Sequence, residues 1–190
     1  MRLGTIVEGH GDALALPTLV ARVVRERYAR FDVVMPKIPM RVNRSKFAAN
    51  FSDFPNALKL LAGQSDGILV MLDSDDDDPA LLRSDLETRA AAAVSHVPVR
   101  VAPAVKEFEA WLLAGVPEMA GQHALPAAVA YSGNPEAVRN AKGAFKDLLS
   151  TRVYSETVDQ KKYAALLDLT ATESRSPSFA QFITLLGELL

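Results

Sequence analysis

The sequence predicts an α/β protein with a mostly parallel central sheet flanked by helices and a helical C-terminal part. Three observations predict it. Gly67-Ile68-Leu69-Val70-Met71-Leu72 is an apolar run of strand length without alternation, which suits a strand buried on both faces in the middle of a parallel sheet. Strand-like and helix-like stretches alternate up to about residue 115, the order that builds crossover units. Beyond that point the patterns are helical. The expected division is an α/β core over residues 1–115 and a helical extension over residues 116–190 packed on it, or one continuous domain.

In chain order, Leu3–Glu8 reads as a first strand ending in Gly9-His10-Gly11-Asp12, where two glycines permit a tight turn. A helix follows, with Pro17 in its first turn and Leu16, Leu19, Val20, Val23 and Val24 as its core stripe. Phe31–Met35 is a second strand candidate, whose tail Pro36 and Pro39 confine to an edge or a loop. Arg41–Lys46 reads as a basic loop, and a short helix spans Phe54–Ala62. After the apolar run come five aspartates, Asp73 and Asp75–Asp78, and then a helix with Asp78 as N-cap and Pro79 at its first position. Val97–Ala102 is a further strand, near an edge because of Pro98, and Lys106–Ala114 reads as strand exit and helix start. Gly115–Pro135 is the expected linker. Helices are expected over residues 136–149 and 156–169, and after the cap Ser176-Pro177.

Composition narrows the function classes. Nearly half of the 190 residues (49%) are hydrophobic, which excludes a disordered chain. No apolar run reaches membrane-spanning length and no signal peptide is visible. With no cysteine, disulfides and thiolate metal sites are excluded, and a cytoplasmic location is expected. A net charge of −2 lacks the global electrostatic footprint of a nucleic-acid binder, so any such contact would need a local basic patch.

Three acidic groups follow three predicted strands: Glu8 with Asp12, Asp73 with Asp75, and Glu107 with Glu109. Parallel strands would bring all three to one sheet edge, where α/β proteins bind ligands. Oxygen-rich clusters of this kind suit Mg²⁺ or Mn²⁺, and two such ions support phosphodiester cleavage. Plainer readings stand beside this one. Asp76–Asp78 suit a solvated helix N-terminus, and Asp12 suits a helix N-cap. The Gly9-x-Gly11 turn could cradle a phosphate, yet lacks the third glycine and the lysine of the known phosphate loops. His10 lies in the candidate site loop, while His96 and His123 have no partner at ligand spacing. Trp111 reads as core rather than a base-stacking platform. Arg41, Arg44 and Lys46 are a solvated loop unless they face the acidic edge, where they would contact phosphates.

The order Glu8-Gly9-x-x-Asp12, hydrophobic strand–Asp73-x-Asp75, then Glu107/Glu109 resembles the Toprim fold. Ile6-Val7-Glu8-Gly9, Leu72-Asp73-Ser74-Asp75, Glu107-Phe108-Glu109-Ala110-Trp111-Leu112-Leu113-Ala114 and Ser176-Pro177-Ser178-Phe179 together resemble the DUF4276 family, over most of the chain. The resemblance implies a Toprim-like domain, related to nucleases of the OLD branch, in a family of largely undefined activity. Some of its members are linked to phage defence beside a partner ATPase. It implies that Glu8 matches the Toprim glutamate, that Asp73 and Asp75 match the Asp-x-Asp pair, and that Asp12 replaces a second acid. Glu109, or else Glu107, would complete a second metal site. A basic residue near the scissile phosphate is also implied. Lys142, Lys146, Lys161 and Lys162 are candidates, and Lys142 is taken first.

The expected function is a Mg²⁺- or Mn²⁺-dependent hydrolase cleaving nucleic-acid phosphodiesters, DNA or RNA. A regulatory subunit activated by, or working with, a partner ATPase is the first alternative. A metal-dependent phosphatase or phosphotransferase is the second.

Overall fold

The computed structural model describes residues 1–151 and 153–190. In chain order the elements are β1 (Leu3–Val7), α1 (His10–Glu26), β2 (Met40–Arg41), α2 (Asp53–Ala62), β3 (Gly67–Asp73), α3 (Pro79–Ala93), β4 (Val99–Ala104), α4 (Glu109–Gly115), α5 (Ala141–Leu148), α6 (Lys161–Leu166), α7 (Leu169–Arg175) and α8 (Pro177–Gly187). The four strands form one sheet in the order β2-β1-β3-β4, and every neighbouring pair is parallel. The protein is therefore α/β, with a helical C-terminal part.

The apolar run is an interior strand, as its lack of alternation predicts. Ile68 to Leu72 are all buried, and their side chains alternate between two separate apolar clusters. Leu69 and Met71 join Leu3, Val7, Ala102 and Ala104 on the face covered by α1, α4 and the C-terminal helices. Ile68, Val70 and Leu72 join Ile6, Val99 and Val101 on the face covered by α2 and α3. The first cluster runs without a break from β1 to Leu189, so residues 116–190 cover one face of the sheet and share its core. Outside β4, the Val101 N–H donates to Glu87 Oε1 at 3.0 Å. Pro103, two residues on, has no N–H to leave unpaired along that edge.

Local chemistry sets most boundaries. Asp78 Oδ1 accepts from the N–H groups of Ala80 and Leu81 at the start of α3, and Ser176 Oγ accepts from Phe179 N–H at the start of α8. Four expectations are corrected. Phe31–Met35 contributes only a single bridge, Val34 to Arg2, and Pro36 and Pro39 stop the pairing from running on beyond it; the edge strand is instead Met40–Arg41. The first helix begins at His10, leaving Pro17 inside it at the loss of one backbone hydrogen bond. The helix expected from residue 136 begins at Ala141, where Asn140 Oδ1 caps the Gly143 N–H at 2.8 Å. The helix expected over 156–169 is a π turn, Glu156–Gln160, running into α6. The chain then breaks, and Asp168 caps α7. The expected linker carries a 3₁₀ turn, Val116–Met119, and Met119 and Leu125 anchor it in the core. Arg22 of α1 closes α6 by donating to the carbonyls of Ala164 and Leu167 at its C-terminal end. No helix among the described residues is long and apolar enough to cross a membrane.

Candidate functional site

Parallel pairing brings the exits of β1, β3 and β4 to one edge. Val7 aligns with Met71, and Asp73 with Ala104. Asp73 has the strand parity of Leu69 and Met71, so it leaves β3 on the face covered by α1 and α4. There it meets Glu8 from the β1 exit, Asp12 from the first turn of α1 and Glu109 from the first turn of α4 around a pocket of about 180 Å³. Glu156 and Gln160 of the π turn complete the wall.

Each acid is held differently. Asp73 Oδ1 accepts from the Phe108 N–H at 2.9 Å. Asp12 is the third residue of its helix rather than the cap, and its Oδ2 accepts from the Gly9 N–H at 3.0 Å. Its Oδ1 accepts from Gln160 Nε2, also at 3.0 Å. Glu109 is buried and accepts from the Tyr154 hydroxyl at 2.8 Å. Glu8 Oε2 is buried without a hydrogen-bond partner.

These environments raise all four acids above their ordinary values. Burial raises Glu8 to about 7; the Arg44 charge opposes this, while Asp75 and Asp12 add to it. Burial raises Glu109 to about 7 as well, against the Tyr154 hydrogen bond. Asp73 lies well above the ordinary range through burial and then through the charges of Asp12, Glu109 and Glu8. Burial also raises Asp12, against its bonds from Gly9 and Gln160. Beside Glu109, burial holds the Tyr154 hydroxyl far above its usual range, so it donates and does not ionise. Four acids raised together by burial in one pocket would be relieved by protons or by a cation.

A pH dependence follows. The folded Glu109 keeps its proton up to about pH 7, whereas the unfolded chain releases it near 4.5. Between those values the folded state binds more protons at this group, so the contribution of Glu109 to stability is full below 4.5 and is lost as pH rises through 7. For a shift of this size the loss is about 3 kcal/mol. Thermal melts at stepped pH are expected to show this decline, and Glu109→Gln, which can still accept from Tyr154, is expected to make it shallower, with the slopes of Glu8 and Asp73 remaining.

The remaining predicted residues lie outside the pocket wall. The strand ends at Asp73, and Asp75 takes a left-handed conformation (φ 50°). The two-residue alternation of the Asp-x-Asp pair stops there: Asp75 is exposed, 3.9 Å from Arg44 Nε. Asp77 pairs with Arg44, and Asp76 with Lys106 and Arg139. Glu107 accepts from the Lys142 N–H at 2.7 Å at the start of α5, while Glu109 reaches the pocket. Lys142 Nζ lies 2.5 Å from Glu156 Oε1, beside the pocket wall. Lys162 pairs with Asp159, and Lys146 and Lys161 are exposed. Arg44 donates to the Asp73 carbonyl at 2.9 Å and so braces the β3 exit. Arg41 lies 2.7 Å from a His10 ring nitrogen. Lys46 sits 4.0 Å over the Phe51 ring. Among the described residues, no three His, Asp or Glu side chains close on a single point as a ready-made metal cage.

Tyr154, Glu156 and Gln160 are site residues that the acid-after-strand pattern misses. One signal was present: Gln160 falls on the face that carries Tyr163 and Ala164 at helical spacing, an unusual place for an amide. Behind the site, Trp111 is fully buried, with its indole N–H donating to Ser178 Oγ at 2.8 Å. Ser178 Oγ in turn donates to Glu136 Oε1 at 2.7 Å. The Trp111 ring packs on Phe108, Phe179 and Phe182 at centroid distances of 5.3, 5.3 and 5.1 Å. The blocks 107–114 and 176–179 are therefore one physical unit.

Comparison with curated proteins and with solved structures gives no match. The sequence profile of a domain of unknown function, DUF4276, matches residues 7–187, which include the pocket acids and the tryptophan–serine unit behind them. The chain belongs to the DUF4276 family.

Proposed function

We propose that the protein is a Mg²⁺- or Mn²⁺-dependent, Toprim-like hydrolase acting on nucleic-acid phosphodiesters in the cytoplasm. The observation that carries this reading is the meeting of Glu8, Asp12, Asp73 and Glu109, from three strand exits, in one polar pocket. The donor set fits the cation: it is made of oxygens, one of them the unpartnered Glu8 Oε2. Glu8, Asp73 and Glu109 would hold the metal. When bound, a divalent ion supplies Lewis-acid polarisation of a phosphoryl oxygen and neutralises developing charge.

The chain's own groups divide the remaining work. Asp12 is pinned through both oxygens and orients the wall. Lys142, beside that wall, offers an ammonium for charge on the phosphate. Arg41 and Arg44, flanking the β1 and β3 exits, offer guanidinium groups to neighbouring phosphates. The test is cleavage of single- and double-stranded DNA and RNA with either metal, with a small phosphate-ester panel to recognise a phosphatase. Asp73→Asn is expected to abolish cleavage and Asp75→Asn to retain most of it. Equal activity in wild type and Asp73→Asn would sink the reading.

A second reading is favoured by the open arrangement of the acids, which do not close on one point. Here the protein is a subunit whose site is drawn together by a partner ATPase, in a phage-defence setting. Inactivity of the isolated protein, with activity in the assembled pair, separates this reading from the first.

A further inference from the structure

The Gln160 side chain is buried, 2% exposed, in a wall whose other side chains are all acidic, with Gly9 and Gly11 between them. Its Nε2 donates to Asp12 Oδ1 at 3.0 Å, across 148 residues of chain. That contact orients the amide, because the opposite flip would set the carbonyl oxygen against a carboxylate oxygen. Oε1 is thereby turned away from Asp12, and it has no hydrogen-bond partner. A buried amide oxygen left unpaired is costly and calls for an explanation.

Its surroundings point to one. A Cβ at Gly11 would lie 2.0 Å from Gln160 Oε1, so only glycine lets this oxygen settle over the first turn of α1. Gly11 lines the same pocket as Glu8, Asp73 and Glu109. Nearby, Glu156 is engaged by Lys142 Nζ at 2.5 Å, which leaves Gln160 as the neutral oxygen donor in an acidic wall. A neutral hard oxygen adds coordination without adding to carboxylate repulsion, and divalent Mg²⁺, Mn²⁺ and Ca²⁺ accept such donors.

We propose that Gln160 is a direct ligand of the divalent cation through Oε1, so that the helical C-terminal part completes a site begun by the sheet. The inference rests on the cation-binding reading of the pocket and adds to it a ligand, drawn from a π turn, that the acid motifs do not contain.

The test is Mn²⁺ titration by calorimetry on wild type, Gln160→Glu, Gln160→Met and Asp73→Asn at pH 8. Gln160→Met removes both polar atoms and is expected to weaken Mn²⁺ by about 10–100-fold. Gln160→Glu keeps an oxygen while losing the Nε2 donor, and is expected to stay within about 3-fold of wild type, because the ligand interaction survives. If Gln160→Met binds like wild type, or Gln160→Glu falls as far as Gln160→Met, Gln160 is only a tether for Asp12 and the inference is overturned. Absence of Mn²⁺ binding to wild type overturns both this inference and the reading beneath it. Loss in Asp73→Asn with unchanged binding in Gln160→Met overturns the inference alone. A crystal structure of the wild type with Mn²⁺ decides the matter without any variant. The ion is expected about 2.1 Å from Gln160 Oε1, and an ion held by the acids with that oxygen beyond about 3 Å overturns the inference.

Discussion

Asp73→Asn is expected to silence the pocket and, without metal, to make the protein melt at a higher temperature at pH 8. The two effects share one cause. Asp73 stands where burial and three neighbouring acids all disfavour its charge. The folded wild type must ionise it, or retain a proton that the unfolded chain has released, and either way stability falls as pH rises. Asparagine keeps an oxygen for the Phe108 N–H, at 2.9 Å from the aspartate, and removes the charge. The gain at pH 8 is on the order of 1–3 kcal/mol, the cost of an uncompensated buried polar group, or about 2–4 °C per kcal/mol for a chain of this size. At pH 4 the two proteins should melt closer together. With Mn²⁺ the order should reverse, because ligand at 100 times its dissociation constant adds about 2.7 kcal/mol to a protein that binds it. Cleavage should fall by more than about 100-fold, beyond the loss seen when supporting residues of metal sites are changed. Calorimetric melts at both pH values, with and without Mn²⁺, check the crossover; a variant that melts below wild type in metal-free buffer at pH 8 would refute the account.

Trp111→Ala is expected to have the largest effect on folding. The side chain is fully buried, touches three phenylalanine rings, and anchors its N–H on Ser178. Truncation of such a residue costs about 3–5 kcal/mol, a large part of the 5–15 kcal/mol that holds a typical domain together. Trp111→Phe keeps much of the ring packing and leaves Ser178 bonded to Glu136, so a smaller loss, about 1–2 kcal/mol, is expected. Ser178→Ala strands the indole N–H in the core and should cost about 1–3 kcal/mol. A double-mutant cycle of Trp111→Phe and Ser178→Ala in urea is expected to show coupling of at least about 0.5 kcal/mol. Additivity of the two losses would mean that the hydrogen bond contributes nothing. Because no part of the ring is open to solvent, Trp111 cannot stack a nucleotide base.

The parts of the fold set by short-range rules were legible. Gly67–Leu72 announced an interior parallel strand through its unbroken apolarity, and Asp78-Pro79 and Ser176-Pro177 announced helix starts through cap chemistry. Glu8, Asp73 and Glu109 were legible because parallel strands deliver their exits to one edge. The misses have physical causes. Phe31–Met35 has strand composition, yet it pairs only at Val34, and Pro36 and Pro39 keep the ladder from running on past it. Asp75 has the spacing to share a face with Asp73, but a left-handed turn at the strand exit ends the alternation that spacing assumes. Tyr154, Glu156 and Gln160 acquire meaning only from contacts more than forty residues away or, for Glu156, from the pocket it faces. Beyond the amide of Gln160 on an apolar helical face, no window of sequence carries such information.

That distance has a consequence for a nascent chain. Asp12 leaves the ribosome early, and its partner Gln160 is 148 residues behind it. A chain interrupted before residue 160 lacks the wall that orients Asp12, and part of the cover over one face of the sheet is missing with it. The pocket is thus among the last features to be finished during synthesis, and loop closure over so long a span makes it a late event in refolding as well.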